Sequence, residues 1–163
     1  MIEAIVNFLE LVVWFMVSWI LAFVLHEYFH KLSCERQGGK AKIEIWFYQP
    51  SQKYKWLKLP SMRCSCEAGT GQSLNWKEID YMGGIGSGFI SIAVSVPFYW
   101  LYLPLFIGLF IAGTTNFIYG IFEGTYLRRL RFDDYMRYHY LAEGIGLLLG
   151  IVLIREIIWS WVF

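Results

Sequence analysis

The chain has 163 residues, of which 57% are hydrophobic, 20% aromatic and only 17% charged. This composition argues against an ordinary soluble protein and indicates one membrane domain, residues 1–163, for which lipid supplies much of the apolar environment. The net charge of +1 carries little information, and no nucleic-acid partner is expected.

Four apolar segments approach or exceed the length of about 20 helical residues that a bilayer crossing takes. They cover residues 6–32, 83–101, 104–122 and 141–163. Because only Tyr102, Leu103 and Pro104 separate the second from the third, these two are expected to form a tight hairpin. The sequence therefore predicts a mainly α-helical, polytopic membrane protein with about four transmembrane helices.

Basic residues are distributed unevenly along the chain. Thirteen of the fourteen Lys and Arg residues fall at positions 31–77 or 128–137, in the segments that join helix one to helix two and helix three to helix four. Because short basic loops remain preferentially in the cytoplasm, both segments are predicted to be cytoplasmic, with the N-terminus outside. No basic residue precedes the first helix, so we interpret it as a retained anchor and not as a signal peptide.

The first apolar segment ends in the run His26-Glu27-Tyr28-Phe29-His30, an H-E-x-x-H motif. Positions i and i+4 share one face of a helix, so both imidazoles can bind one metal ion while Glu27 holds a water beside it. The alternative is a pair of histidines that are hydrogen-bonded within a helix bundle. That alternative leaves the position of Glu27 unexplained.

The insert between helices one and two, about residues 39–80, contains a candidate β-hairpin. Residues 40–48 alternate between charged and apolar side chains, a turn-like stretch occupies 49–52, and 53–59 has the pattern of a second strand. Two interpretations remain open for this hairpin. It is either a structural ribbon or an edge strand that receives an extended substrate by β-addition.

Three cysteines, Cys34, Cys64 and Cys66, lie in or near this insert. An odd number does not suggest a disulfide framework. A metal-binding pair at Cys64 and Cys66 is an alternative, but two unpaired thiols are the favoured interpretation.

The spacing of small residues around the motif resembles the site-2 protease family of intramembrane metalloproteases. After the histidines come Cys34, at a position where the family has a small residue, and Gly38. At the start of helix two, residues 83–88 resemble the family's G-P-x-x-N element, with Gly84 for its proline and Ser87 for its asparagine. These small residues also predict a close approach between helices.

A third element of this family is similar to residues 116–124. The family pattern is N-x-x-P-x-x-x-L-D-G; here Asn116 is followed by Tyr119 in place of the proline and by Glu123 in place of the aspartate, at a spacing of seven. The resemblance implies a divergent, minimal member of the family. It also implies a zinc ion bound by His26, His30 and a carboxylate.

The third metal ligand is expected to be Glu123, which lies at the same end of the bundle as the histidines. Three alternatives remain open, and each lies in the segment before the last helix: Asp133, Asp134 and His139.

The function implied by the resemblance is zinc-dependent hydrolysis of peptide bonds in the transmembrane segments of membrane-protein substrates, near the cytoplasmic face of the lipid bilayer. Glu27 is expected to act as the general base, and Asn116 to orient the substrate or stabilise the oxyanion. Asn116 has a structural alternative as a polar bridge between helices. A second function of a different class is a non-hydrolytic membrane metal-binding protein, either a transporter or a catalytically inactive scaffold.

Overall fold

The computed structural model describes residues 2–48, 59–71, 73–130 and 132–162, without the side chains of 46–48, 59–61, 128 and 132–137. Six α-helices and two strands follow one another within these residues. In chain order they are α1 (Ile2–Arg36), β1 (Lys40–Tyr48), β2 (Leu59–Glu67), α2 (Trp76–Tyr81), α3 (Ser87–Leu101), α4 (Leu103–Thr125), α5 (Phe132–Leu153) and α6 (Arg155–Val162). A π-helical turn, Met82–Gly86, joins α2 to α3.

Three helical segments in the described part of the chain are long and apolar enough to span a membrane: Ile2–Arg36, Trp76–Leu101 and Leu103–Thr125. They include the first three predicted helices and extend each of them. The fourth predicted helix is not confirmed as a span, because the helix is interrupted at Ile154 and its apolar part, Tyr138–Leu153, is shorter. An exposed ion pair between Arg155 and Glu156 lies directly after this interruption.

The motif helix α1 ends at Arg36, and a glycine two residues later turns the chain back toward the bundle. Gly38 has φ = 83°, a left-handed conformation that glycine adopts without a steric penalty. The N–H groups of Gln37 and Gly39 both donate to the carbonyl oxygen of Cys34, at 3.1 and 3.0 Å. The chain therefore enters β1 at Lys40, ten residues after the second histidine.

The insert contains an antiparallel hairpin, as its alternating pattern predicts. The pairing runs from Lys40 opposite Glu67 to Tyr48 opposite Leu59. The first strand has the predicted bounds, 40–48. Most of the predicted second strand, at 53–58, lies outside the described residues, and the strand that pairs with β1 is 59–67.

A disulfide joins Cys34 on α1 to Cys66 on β2, so the interpretation of Cys66 as an unpaired thiol is wrong. Cys64 is the free cysteine. The two partners are 32 residues apart and become neighbours only because the hairpin folds back onto the end of α1, which no local pattern reveals. In the chain-entropy description, closing a loop of this length stabilises the folded state by about 3–4 kcal/mol.

Helix α4 occupies the centre of the bundle and packs closely on α3. Three serines at a spacing of four, Ser87, Ser91 and Ser95, are buried along α3. Gly84 lies against Gly120 so closely that a Cβ atom at Gly84 would collide with the Gly120 backbone. The predicted close approach of helices at 83–88 is therefore confirmed.

The opposite end of the bundle is joined by a separate polar cluster. Tyr102 is the single residue between α3 and α4. Its hydroxyl accepts a hydrogen bond from the Trp14 indole N–H at 2.7 Å and donates one to the carboxylate of Glu10. These contacts fasten the α3–α4 turn to α1 at the end away from the motif.

Candidate metal centre

The two motif histidines and one carboxylate converge between α1 and α4. His26 and His30 project from α1 and are 5% and 9% exposed, and Glu123 projects from the last turns of α4. The two Nε2 atoms are 2.9 Å apart, and Oε2 of Glu123 lies 3.4 Å from that of His26 and 3.5 Å from that of His30. Within the described residues, this is the only group of three His, Cys, Asp or Glu side chains close enough to hold a metal ion.

The two distances from Glu123 fit a tetrahedral metal site, whereas the two Nε2 atoms lie closer together, at 2.9 Å. Zinc bonds of about 2.0–2.1 Å in a tetrahedron place ligand atoms about 3.3–3.4 Å apart, close to the distances from Glu123. Oε2 of Glu123 is buried and forms no hydrogen bond within the described part of the chain. A buried carboxylate oxygen without a hydrogen bond is costly, and a cation held between it and the two Nε2 atoms would satisfy it.

The ring of His30 is oriented by a backbone carbonyl. Its Nδ1 lies 2.8 Å from the carbonyl oxygen of Ile79, a buried residue of α2. Since a carbonyl only accepts, Nδ1 carries a hydrogen, and Nε2 is left as the ring nitrogen that can bind a metal. Gly83 makes room for this ring, because a Cβ atom there would lie within 2.7 Å of the ring carbon Cδ2.

Glu27 is buried beside the metal group and faces the hairpin. Its Oε2 accepts a hydrogen bond from the backbone N–H of Cys64 at 2.6 Å. Cys64 stands opposite Ile43 in the β1–β2 ladder, and its N–H points away from that partner. The outer edge of β2 therefore lies against the face of α1 that carries the motif.

Asn116 joins three helices in this structure. Its side-chain nitrogen donates to the carbonyl oxygen of Ala22 on α1 at 2.7 Å and to the hydroxyl of Ser87 on α3 at 3.1 Å. An amide nitrogen has two hydrogens, so both are used in these contacts. The geometry therefore matches the structural alternative, and a role for Asn116 in a reaction stays a prediction.

The three alternative ligands lie on α5. The side chains of Asp133 and Asp134 are outside the described part of the structure. His139 does not join the metal group: its Nδ1 lies 3.1 Å from the hydroxyl of Tyr119, and its Nε2 lies 3.5 Å from Oε1 of Glu143.

Three contacts of the site were not expected from the sequence. The carbonyl of Ile79 and the N–H of Cys64 are backbone groups, so no side-chain pattern marks them. The hydroxyl of Tyr119 lies 3.4 Å from Oε1 of Glu123. The only sequence signal for this tyrosine was its place in the N-x-x-P pattern, where it stands for the proline.

The free thiol next to Glu27 gives a test of this arrangement in the metal-free protein. Burial, together with the negative charge of Glu27, raises the pKa of the Cys64 thiol from 9 to about 11. At pH 8 the reactive thiolate is then about a hundredfold rarer than for an ordinary thiol. We therefore compare the rate at which iodoacetamide labels Cys64 in the folded chain with its rate in a free peptide. The peptide covers residues 61–67 and has Cys66 replaced by serine. We expect Cys64 in the folded chain to be labelled about a hundredfold more slowly.

The substitution Glu27→Gln removes the neighbouring negative charge and is expected to accelerate this labelling, with the rate followed by mass spectrometry. A rate in the parent chain equal to that of the peptide would contradict the position of β2 against α1.

The described contacts thus place the buried Glu27 between the metal-capable group and the hairpin strand β2, and place Tyr119 and His139, from α4 and α5, beside Glu123. In comparisons with known proteins, no family model, no curated protein and no solved structure matches this chain.

Proposed function

We propose that this chain is a zinc-dependent endopeptidase, similar to site-2 proteases, that hydrolyses peptide bonds in transmembrane segments of other membrane proteins. The observation that supports it is the convergence of His26, His30 and Glu123 next to the buried carboxylate of Glu27. A metal-storage or transport site has no need of a buried acid directly after its first ligand. A hydrolase does, because the attacking water must lose a proton.

In this proposal His26, His30 and Glu123 hold the zinc ion. The bound ion would activate a water and polarise the carbonyl of the scissile peptide. Glu27 accepts the proton of that water at its carboxylate and passes it to the nitrogen of the leaving amine. The apolar surroundings of α1 and α4 exclude bulk water from this step.

A transmembrane substrate must expose its backbone before cleavage, because helical amides are already hydrogen-bonded within the helix. The outer edge of β2 lies beside Glu27, which supports the interpretation of the hairpin as an edge strand for β-addition. An extended substrate segment on this edge would take the N–H of Cys64. That exchange would release the Glu27 carboxylate for the reaction.

We place the metal group and the hairpin on the cytoplasmic side, with the N-terminus outside. Residues 128–137, which join α4 to the apolar part of α5, carry four arginines, and short basic connections follow the positive-inside rule. Disulfides are rare in most cytoplasms, so this placement requires a host in which Cys34–Cys66 persists, as in hyperthermophiles. Helices α5 and α6 would together form the fourth, interrupted crossing.

The test compares the parent chain with Glu27→Gln in detergent or vesicles, with zinc content and cleavage of a membrane-spanning peptide as readouts. We expect the variant to bind zinc as the parent does and to cleave about 10²- to 10⁴-fold more slowly, the usual cost of losing a general base. Glu35→Gln is the matched control, because Glu35 lies on the same helix but is exposed. Equal cleavage by Glu27→Gln and the parent would refute the proposal.

The second candidate, a non-hydrolytic metal-binding protein, has specific support in the same contacts. The Glu27 carboxylate accepts the N–H of Cys64, and both amide hydrogens of Asn116 are used between helices. A chain with these groups occupied would bind metal without hydrolysing a peptide. Stoichiometric zinc in the parent, with the peptide left intact, would favour this candidate.

A further inference from the structure

The two oxygens of the Glu123 carboxylate have different surroundings. Oε2 faces the Nε2 atoms of His26 and His30, whereas Oε1 lies 3.4 Å from the hydroxyl of Tyr119. Tyr119 precedes Glu123 by one turn of α4 and is 6% exposed. An ionised carboxylate only accepts hydrogen bonds, so the tyrosine hydroxyl is the donor.

Helix α5 supplies a histidine and a carboxylate behind this tyrosine. His139 lies with its Nδ1 3.1 Å from the Tyr119 hydroxyl oxygen, and its Nε2 lies 3.5 Å from Oε1 of Glu143, four residues later. Since the Tyr119 hydrogen is directed to Glu123, its oxygen accepts from Nδ1 of His139. Donation therefore runs in one direction, from His139 through Tyr119 to Glu123.

Packing holds the tyrosine ring in this position. The ring of Tyr119 contacts the rings of His26 and His139, with centroids 5.4 and 4.9 Å apart. A glutamate side chain has several rotatable bonds, and ordering it when a metal arrives costs entropy. A ligand whose second oxygen is already hydrogen-bonded has lost much of that freedom beforehand, which strengthens metal binding.

We propose that Tyr119, supported by His139 and Glu143, is a positioning residue that holds Glu123 so that Oε2 alone reaches the metal. The inference rests on the proposed metal site and adds that a second layer of residues on α4 and α5 determines how its carboxylate ligand binds. The same contacts tie α5 to the metal centre, although α5 contributes no ligand among the described residues.

The experiment measures metal binding in the purified full chain, with Zn²⁺ for affinity and Co²⁺ for the visible absorption of the site. Tyr119→Phe keeps the ring and removes only the hydroxyl. We expect its Kd for Zn²⁺ to rise about 10- to 100-fold, the usual cost of losing an outer-shell partner. The Co²⁺ absorption is expected to weaken, because a released Oε1 can join the metal and raise its coordination number.

Tyr138→Phe is the matched control, since Tyr138 is exposed on α5 next to His139. It is expected to leave the Kd and the spectrum unchanged. A second variant, His139→Gln, tests the same hydrogen-bonded chain from His139 through Tyr119 to Glu123. The His139 side chain is partly exposed, so this substitution leaves the core unaltered. Combined with Tyr119→Phe it should weaken binding no further than Tyr119→Phe alone, because both act through one hydrogen-bonded chain.

Unchanged affinity and an unchanged Co²⁺ spectrum in Tyr119→Phe would overturn the inference and leave the proposed peptidase intact. Weaker binding in Tyr119→Phe, with a parent chain that binds zinc but cleaves no peptide, would support the inference and refute the peptidase. A parent chain that binds neither Zn²⁺ nor Co²⁺ would overturn both.

Discussion

Replacement of Glu123 with alanine is expected to weaken zinc binding by more than a hundredfold. Its Oε2 is one of only three ligand atoms that converge in the described structure. Loss of an outer-shell partner alone costs about 10- to 100-fold, and loss of a ligand costs more. The measurement is competition for Zn²⁺ against a chromophoric chelator in the detergent-solubilised protein, with parallel variants His26→Ala and His30→Ala.

Two aspartate variants show whether the third ligand is Glu123 or one of the aspartates that the sequence left open. Asp133→Asn and Asp134→Asn remove the rival carboxylates of the sequence prediction, and neither is expected to change the Kd. If Glu123→Ala binds zinc as tightly as the parent while one of the aspartate variants loses binding, the assignment of Glu123 is wrong. Glu35→Ala controls for the loss of an exposed negative charge near the site.

Replacement of Gly84 with alanine is expected to destabilise the bundle by about 3 kcal/mol, the upper part of the range for overpacked cores. The added Cβ would collide with the backbone of Gly120 and lie 2.6 Å from the carbonyl oxygen of Asn116. Backbone atoms cannot rotate away as a side chain can, so the π-helical turn that contains Gly84 must move away from α4. The measurement is thermal unfolding of the detergent-solubilised chain, followed by circular dichroism.

Gly144→Ala is the matched control for this substitution. Gly144 lies on α5, and a Cβ atom there meets nothing within 4 Å. Because alanine is the better helix former, this variant is expected to be neutral or more stable by about 0.5–1 kcal/mol. Equal effects of the two substitutions would show that the contact between Gly84 and Gly120 does not limit the packing.

The helical architecture was largely predictable, because it depends on local composition. The apolar segments at 6–32, 83–101 and 104–122 lie within helices that are long enough to span a membrane. The fourth segment, 141–163, was predicted as continuous, yet the helix is interrupted at Ile154. Hydropathy averages over a window and does not register a local break, so the sequence pattern could not locate it.

The cysteines show the limit of reasoning from local patterns. Cys64 and Cys66 are two residues apart in sequence, but only Cys66 pairs with Cys34. Side chains at adjacent positions of a strand point to opposite faces of the sheet, whereas side chains two positions apart point to the same face. The pairing of β1 with β2 therefore places both cysteine side chains near α1. Which of them pairs depends on how the hairpin docks, and docking is a long-range property.

The sequence by itself determined the chemistry that the chain carries: an H-E-x-x-H run on an apolar helix, small residues at 83–88, and an acid seven residues after Asn116. These features follow from residue type and helical spacing, which are local. Only the tertiary structure decided that Glu123 meets His26 and His30, that a β2 amide contacts Glu27, and that Tyr119 and His139 lie behind Glu123. Those relations join residues that are far apart in the chain, and they depend on how helices and hairpin pack against one another.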